Sequence, residues 1–123
     1  MIKSIGLDIV ATERIEKLLS SKENRFAQKI LGEAEQKEYQ NRPNKLEYLA
    51  GRFAAKEALI KVLGALLKNK PGWHQMQVLN DEDGFPRVAL DKDLIDFNRY
   101  AVYITISHEK NIAAAVAVLE EVK

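Results

Sequence analysis

The chain contains no cysteine, which excludes disulfides and thiolate-held metals at once. No run of apolar residues approaches the roughly 20 that a membrane span needs. The start, MIKSIGLD, lacks the apolar stretch of a signal peptide. These absences predict a cytoplasmic protein without a membrane partner. Charge of one sign is also lacking: 19 Lys and Arg stand against 18 Asp and Glu, a net charge of +1. Nothing in that balance calls for a nucleic acid. With three prolines and six glycines there are few breaks, and no repeat, linker or low-complexity tract. The 123 residues therefore form one domain, 1–123, with one core. A chain this short gains from association with copies of itself. Hydrophobic residues at 46% and charged residues at 30% are ordinary for a globular protein.

Residues 2–10, IKSIGLDIV, read as a strand with an unusual aspartate, Asp8, inside it. Thr12 is placed to cap a short helix carrying Ile15, Leu18 and Leu19. Residues 24–31 predict a second helical piece closed by Gly32, and EAEQKEYQNR a third that ends before Pro43. Residues 45–68 form the longest helical pattern, with Leu46, Leu49, Phe53, Leu59 and Val62 on a broad apolar face. Asn69 to Gly72 breaks it. Alternation then predicts strands at 73–79, 86–90, 101–107 and 112–120, with turns at 80–84 and 108–111. Residues 94–100 read either way. The last two strands form a hairpin. Strand, helices, then a run of strands predicts an α+β domain, antiparallel strands packed on a long helix.

On the long helix, Phe53, Glu57, Lys61 and Gly64 share one side. Glu57 and Lys61 are spaced as a solvated ion pair contributing about 0.2–0.5 kcal/mol. Lys56 and Arg52 nearby, and a glycine where alanine would be about 1 kcal/mol better, favour instead a polyanion held through a metal. Asp8 is either a water-facing edge residue or a hard-oxygen ligand; Mg²⁺ takes one or two protein carboxylates beside waters and phosphates. His108, after an alternating strand, is a turn residue or a contact to phosphate; His74 sits inside a predicted strand. Arg14, Lys17, Lys22, Arg25 and Lys29, diluted by Glu13, Glu16 and Glu23, form a solvated face or a dock for an acidic partner.

Five motifs, IGLDIVATERI, FAQKILGEAEQKEY, LAGRFAAKEALIKVLG, DGFP and ISHEKNIAAA, together resemble the holo-acyl-carrier-protein synthases. These are the small phosphopantetheinyl transferases of bacterial fatty-acid synthesis. The resemblance implies transfer of the 4′-phosphopantetheine arm of coenzyme A to a serine of apo acyl carrier protein, releasing adenosine 3′,5′-bisphosphate. It implies Mg²⁺ on Asp8 and Glu57, with Lys61 and His108 at phosphates. Arg52, Gly64 and Pro86 (of DGFP) would share the coenzyme pocket. It places Arg14 against the carrier protein with Arg25 in support, and implies a homotrimer with active sites at subunit interfaces. Glu57, a coordinated water or Glu35 would be the general base. The stretch ALLKNKPG stands where the family is often glycine-rich, and Phe85 and Ile112 also depart from its pattern.

Two rivals remain at this level: a Mg²⁺-dependent nuclease built on Asp8, Glu57 and a lysine, and a non-catalytic module binding an acidic protein. Acid and lysine four apart on a helix disfavour the first, because such nucleases commonly place them two apart on one strand face. The second leaves the Glu57–Lys61 stripe without a purpose.

Overall fold

The computed structural model describes residues 1–21 and 25–123; Lys22, Glu23 and Asn24 of the basic run and the second helical piece lie outside it. Strand β1 (Ile2–Ala11) leads into α1 (Thr12–Ser21), α2 (Arg25–Ile30), α3 (Glu33–Gln40) and the long α4 (Lys45–Leu63). Then come β2 (Met76–Asn80), β3 (Pro86–Leu90), β4 (Tyr100–Glu109) and β5 (Ile112–Glu121). β1, β5 and β4 form an antiparallel sheet in that order, and β2 pairs with β3 in a second, two-stranded one. The chain is an α+β domain, as its pattern predicts.

Helix α4 starts where the Asn44 side chain accepts the Glu47 backbone N–H at 3.0 Å, an N-cap interaction. From Tyr48 to Leu63 it is buried on nearly every side, so it is the core of the domain rather than a surface helix. It lies across the inner face of the larger sheet, where β5 offers Ala113, Ala115, Ala117 and Leu119, all buried. The alanines let the helix come close. Gly51 of α4 completes this fit, since a Cβ there would lie 3.2 Å from Ile106 of β4. The outer face of the same sheet has no cover from the described residues: Ile5, Leu7, Ile9 and Tyr103 are all more than half exposed.

Four details differ from the pattern. Helix α4 ends at Leu63, not 68; the last carbonyls are closed by bonds from Gly64, Ala65 and Leu66, and Leu66 and Leu67 reach the core from a turn. Helix α3 ends at Gln40, where the N–H groups of Asn41 and Arg42 tighten onto Glu38 and Tyr39. Residues 73–75 are a 3-10 turn rather than strand, because Gln75 folds back onto Gly72 through both backbone and side chain. His108 is in β4, paired with Ala113, and the turn is confined to Lys110 and Asn111. Residues 94–99 are irregular.

Candidate active site

Asp8 reaches its position because Gly6 precedes it by two. On a strand, Gly6, Asp8 and Val10 share a face, and here that face meets α4. A Cβ on Gly6 would sit 2.8 Å from the Ala58 carbonyl oxygen and 3.0 Å from Cβ of Lys61. Without a side chain, strand and helix touch. One strand step on, the Asp8 carboxylate lies 3.5 Å from the Lys61 ammonium and is 18% exposed. Lys61 also donates to the Leu7 carbonyl on the free edge of β1. The alternative of a solvated Glu57–Lys61 ion pair is not realised: Lys61 turns to Asp8, and among the described residues no side chain pairs with the half-buried Glu57.

The Asp8 and Lys61 side chains thus meet at one seam between β1 and α4, and Glu57 lies one helical turn before Lys61 on α4. Among the described residues no three His, Cys, Asp or Glu converge, so a cation held here would have two protein carboxylates and take its other ligands from water and substrate. Two hard-oxygen groups beside a lysine, at a solvent edge, fit Mg²⁺ of that kind. Gly64 caps α4 in right-handed helical backbone, and a Cβ there would meet only ordinary contacts at 3.5 Å. Nothing within the chain requires a glycine there.

A second feature lies on the other side of α4. A cleft of about 280 Å³ is bordered by Arg52, His108 and Pro86, three of the predicted coenzyme contacts, together with Asn80 and Glu47. Arg52 is held tightly. Its Nε donates to the Val78 carbonyl at 2.8 Å, and one terminal nitrogen donates to Glu38 at 3.2 Å and Asn80 at 3.0 Å. Its plane lies over the Tyr48 ring, 4.4 Å from guanidinium carbon to centroid. His108 Nε2 is 3.2 Å from the Glu47 carboxylate at the start of α4. Arg52, His108 and Asn80 are thus fixed around one cleft, the arginine paired with Glu38 and the histidine with Glu47.

A model of the 4′-phosphopantetheinyl transferase superfamily matches residues 4–117. The chain belongs to that superfamily. It is a transferase, which sets aside both the nuclease and the non-catalytic module. Over 122 residues it is 41% identical to a holo-[acyl-carrier-protein] synthase of Halalkalibacterium halodurans, covering 98% of this chain and 97% of that one. The crystal structure of the Neisseria meningitidis synthase superposes with a TM-score of 0.89 at 31% identity, covering 98% and 100% of the two chains. The Bacillus anthracis synthase, solved in complex with CoA (3′,5′-ADP), gives 0.83 at 35%, covering 98% of each.

Glu35 is not placed to act as the base that the sequence reading allowed. Glu35 and Lys56 are both 0% exposed and form an ion pair. One Glu35 oxygen also accepts the Gly32 N–H at 2.9 Å, and the other the Val78 N–H at 2.8 Å. Lys56 donates further to the carbonyls of Ile30 and Trp73. Burial pushes the Lys56 ammonium below its usual value, and Glu35 opposes that push. A carboxylate with both oxygens engaged and no exposed surface has no route to a substrate hydroxyl, so Glu35 is structural. Glu38 repeats the arrangement three residues on, bridging Arg52 and the Asn80 N–H. The two acids of α3 therefore cap the free edge of β2 and neutralise two cations of α4. This supporting pair was missed. Its one signal was that each pair falls about one helical turn apart, Glu35 and Glu38 three residues and Arg52 and Lys56 four.

Of the predicted partner contacts, Arg14 lies on α1 with its guanidinium 5.4 Å from the Phe53 ring centroid. Arg25 opens α2 and is exposed. His74 sits in the 3-10 turn, its Nε2 2.9 Å from the Gln28 carbonyl, away from both the seam and the cleft. No helix of the described residues is long and apolar enough to cross a membrane.

Proposed function

We propose that this transferase moves the 4′-phosphopantetheine arm of coenzyme A onto a serine of apo acyl carrier protein, releasing adenosine 3′,5′-bisphosphate, within cytoplasmic fatty-acid synthesis. The observation that carries the reading is the β1–α4 seam, where Gly6 brings Asp8 against Lys61. Asp8 and Glu57 would hold Mg²⁺, which supplies polarisation of the phosphorus centre and charge neutralisation on the leaving phosphate. Lys61 is free to leave Asp8 for phosphate oxygens. The serine oxygen forms a bond to the β-phosphorus of coenzyme A as the bond to the bisphosphate breaks. Glu57 or a water beside it takes the serine proton. Phosphoryl transfer asks a protein mainly for positioning and charge, and these residues provide both.

The cleft of Arg52, His108 and Pro86 suits the phosphorylated nucleotide end. Within one chain, however, the seam borders β1 and the cleft borders β4, and β5 separates those strands. The two features also lie on different faces of α4. A second copy that brings its cleft beside the first copy's seam would complete the site. The uncovered apolar face of the sheet is a surface on which copies can meet. This supports active sites between subunits, in the homotrimer that the resemblance implies.

The test is intact-mass spectrometry of apo acyl carrier protein incubated with the enzyme, coenzyme A and Mg²⁺, with an EDTA control. The expected result is a gain of one phosphopantetheine that EDTA abolishes. Asp8→Ala and Glu57→Ala should each lower turnover by at least about 10²-fold, the scale on which transition-state charge stabilisation acts, with melting temperatures unchanged. Near-normal turnover of either variant at saturating Mg²⁺ removes that residue from the site.

A further inference from the structure

Four side chains from three parts of the chain form one continuous stack. The Arg14 guanidinium of α1 lies 5.4 Å from the Phe53 ring centroid. Phe53 of α4 stacks on Trp73, centroids 5.7 Å apart and planes 26° from parallel. The Lys70 ammonium lies 5.5 Å from the Trp73 ring. Two cations thus cover the two ends of an aromatic pair, at distances where each ring face attracts positive charge.

The stack is built on fixed supports. Phe53 is 6% exposed, and Pro71, next to Lys70, is buried. The Trp73 carbonyl accepts from buried Lys56 at 3.0 Å, and the Gly72 N–H donates to the Gln75 side chain at 2.8 Å. Lys70 itself is exposed and, among the described residues, has no carboxylate partner. Arg14 has none either, whereas its neighbour Lys17 is neutralised by Glu13 at 3.2 Å. Among the described residues, α1 therefore presents its unneutralised charge at Arg14, and the stack extends that charge to Lys70. An ordinary surface lysine loses rotamer freedom when a partner captures it. Lys70 has already lost part of that freedom to the indole face.

We propose that Lys70 is a second anchor for the acidic carrier protein, acting with Arg14 across the Phe53–Trp73 stack. This rests on the carrier-protein reading above and extends its surface beyond α1 into the loop after α4. The occupant is an acidic protein segment long enough to meet both cations.

The experiment is fluorescence anisotropy of labelled apo acyl carrier protein titrated with the enzyme in the absence of coenzyme A. It compares the unmodified enzyme, Lys70→Gln, Lys70→Arg, Lys68→Gln and Arg14→Gln. Lys70→Gln should weaken binding by about 3–10-fold, the scale of one charge-assisted contact, and reduce its salt dependence. Lys70→Arg, which keeps the cation over the indole, should bind as the unmodified enzyme does. Lys68→Gln, an equal loss of charge off the stack, should have little effect. Equal affinity of Lys70→Gln and the unmodified enzyme overturns the proposal, as does an equal loss from Lys68→Gln. Carrier binding that needs Lys70 but leads to no phosphopantetheine gain would sustain the anchor and sink the proposed reaction instead.

Discussion

Glu35→Ala separates structural from catalytic use of a buried acid. In the native fold Glu35 pairs with Lys56 and accepts backbone N–H groups from Gly32 and Val78. Removing the carboxylate strands an ammonium that is 0% exposed and leaves two backbone donors without partners. Breaking a buried pair from one side costs about 3–5 kcal/mol, because the survivor remains desolvated. In a chain of this size each kcal/mol moves the melting temperature by roughly 3–5 °C, so the variant should melt on the order of 10–20 °C lower. Lys56→Met, which strands the carboxylate instead, should lose a similar amount. The double variant should lose much less than the sum of the two singles, since it leaves no charge unpaired. Urea denaturation of all four proteins at 25 °C gives the cycle. Turnover is then measured well below the melting point, where Glu35→Ala is folded. A structural Glu35 leaves turnover per folded molecule within a few-fold of normal. A general base is worth about 10²–10⁴-fold; a folded Glu35→Ala enzyme slowed by that factor would refute the assignment.

Gly6→Ala should open the seam. Its Cβ would meet the Ala58 carbonyl oxygen at 2.8 Å, and backbone cannot swing aside, so a loss of about 1–3 kcal/mol is expected in urea melts. A shift of Asp8 on the order of 1 Å would add a fall in turnover of about 10²-fold; unchanged turnover would mean that seam geometry does not govern the reaction. Leu7→Asp, on the uncovered sheet face at 51% exposure, should yield a folded monomer in analytical ultracentrifugation with transfer lost, whereas an unaltered sedimentation coefficient would place the contact between copies elsewhere. Tyr48 supplies a pH signature. Burial, reinforced by the bond to Glu38, pushes its phenol well above the usual 10.0. A raised value means that the stabilisation is complete below pH 10 and is lost as pH rises above it, when the unfolded chain ionises first. The decline is about 1.4 kcal/mol per pH unit for one proton. Tyr48→Phe should flatten that alkaline decline relative to the unmodified enzyme, and equal slopes would show that Tyr48 is not its source.

The long helix, the strand carrying Asp8 and the terminal hairpin were legible because each rests on local periodicity. Asp8 itself stood out as a charge within an apolar strand. The end of α4 was not legible: Leu66 and Leu67 continue the apolar spacing but enter the core from a turn, and spacing alone does not distinguish the two routes. Residues 73–75 alternate like a strand, yet Gln75 closes a local turn with Gly72, and such side-chain bonds leave no periodic trace. The partner of Lys61 was also hidden. Four-residue spacing pointed to Glu57, while the actual partner, Asp8, lies 53 residues away in sequence.

Adjacent charges in FAAKEALIK show why burial had to be seen in the fold. Lys56 and Glu57 are neighbours, so on a helix they point about 100° apart. That angle is the difference between the interior and the seam. Lys56 turns inward, where desolvation would be prohibitive for a lone ammonium, and α3 supplies Glu35 to meet it. Arg52, one turn earlier, turns toward the cleft and receives Glu38 in the same way. With two cations of α4 neutralised by α3, the helix is locked to the β2 edge and cannot slide along the sheet without breaking both pairs. The inward charges fasten the helix to its neighbours, and the outward ones are left on its exposed side, so adjacent residues of one helix divide between fold and surface.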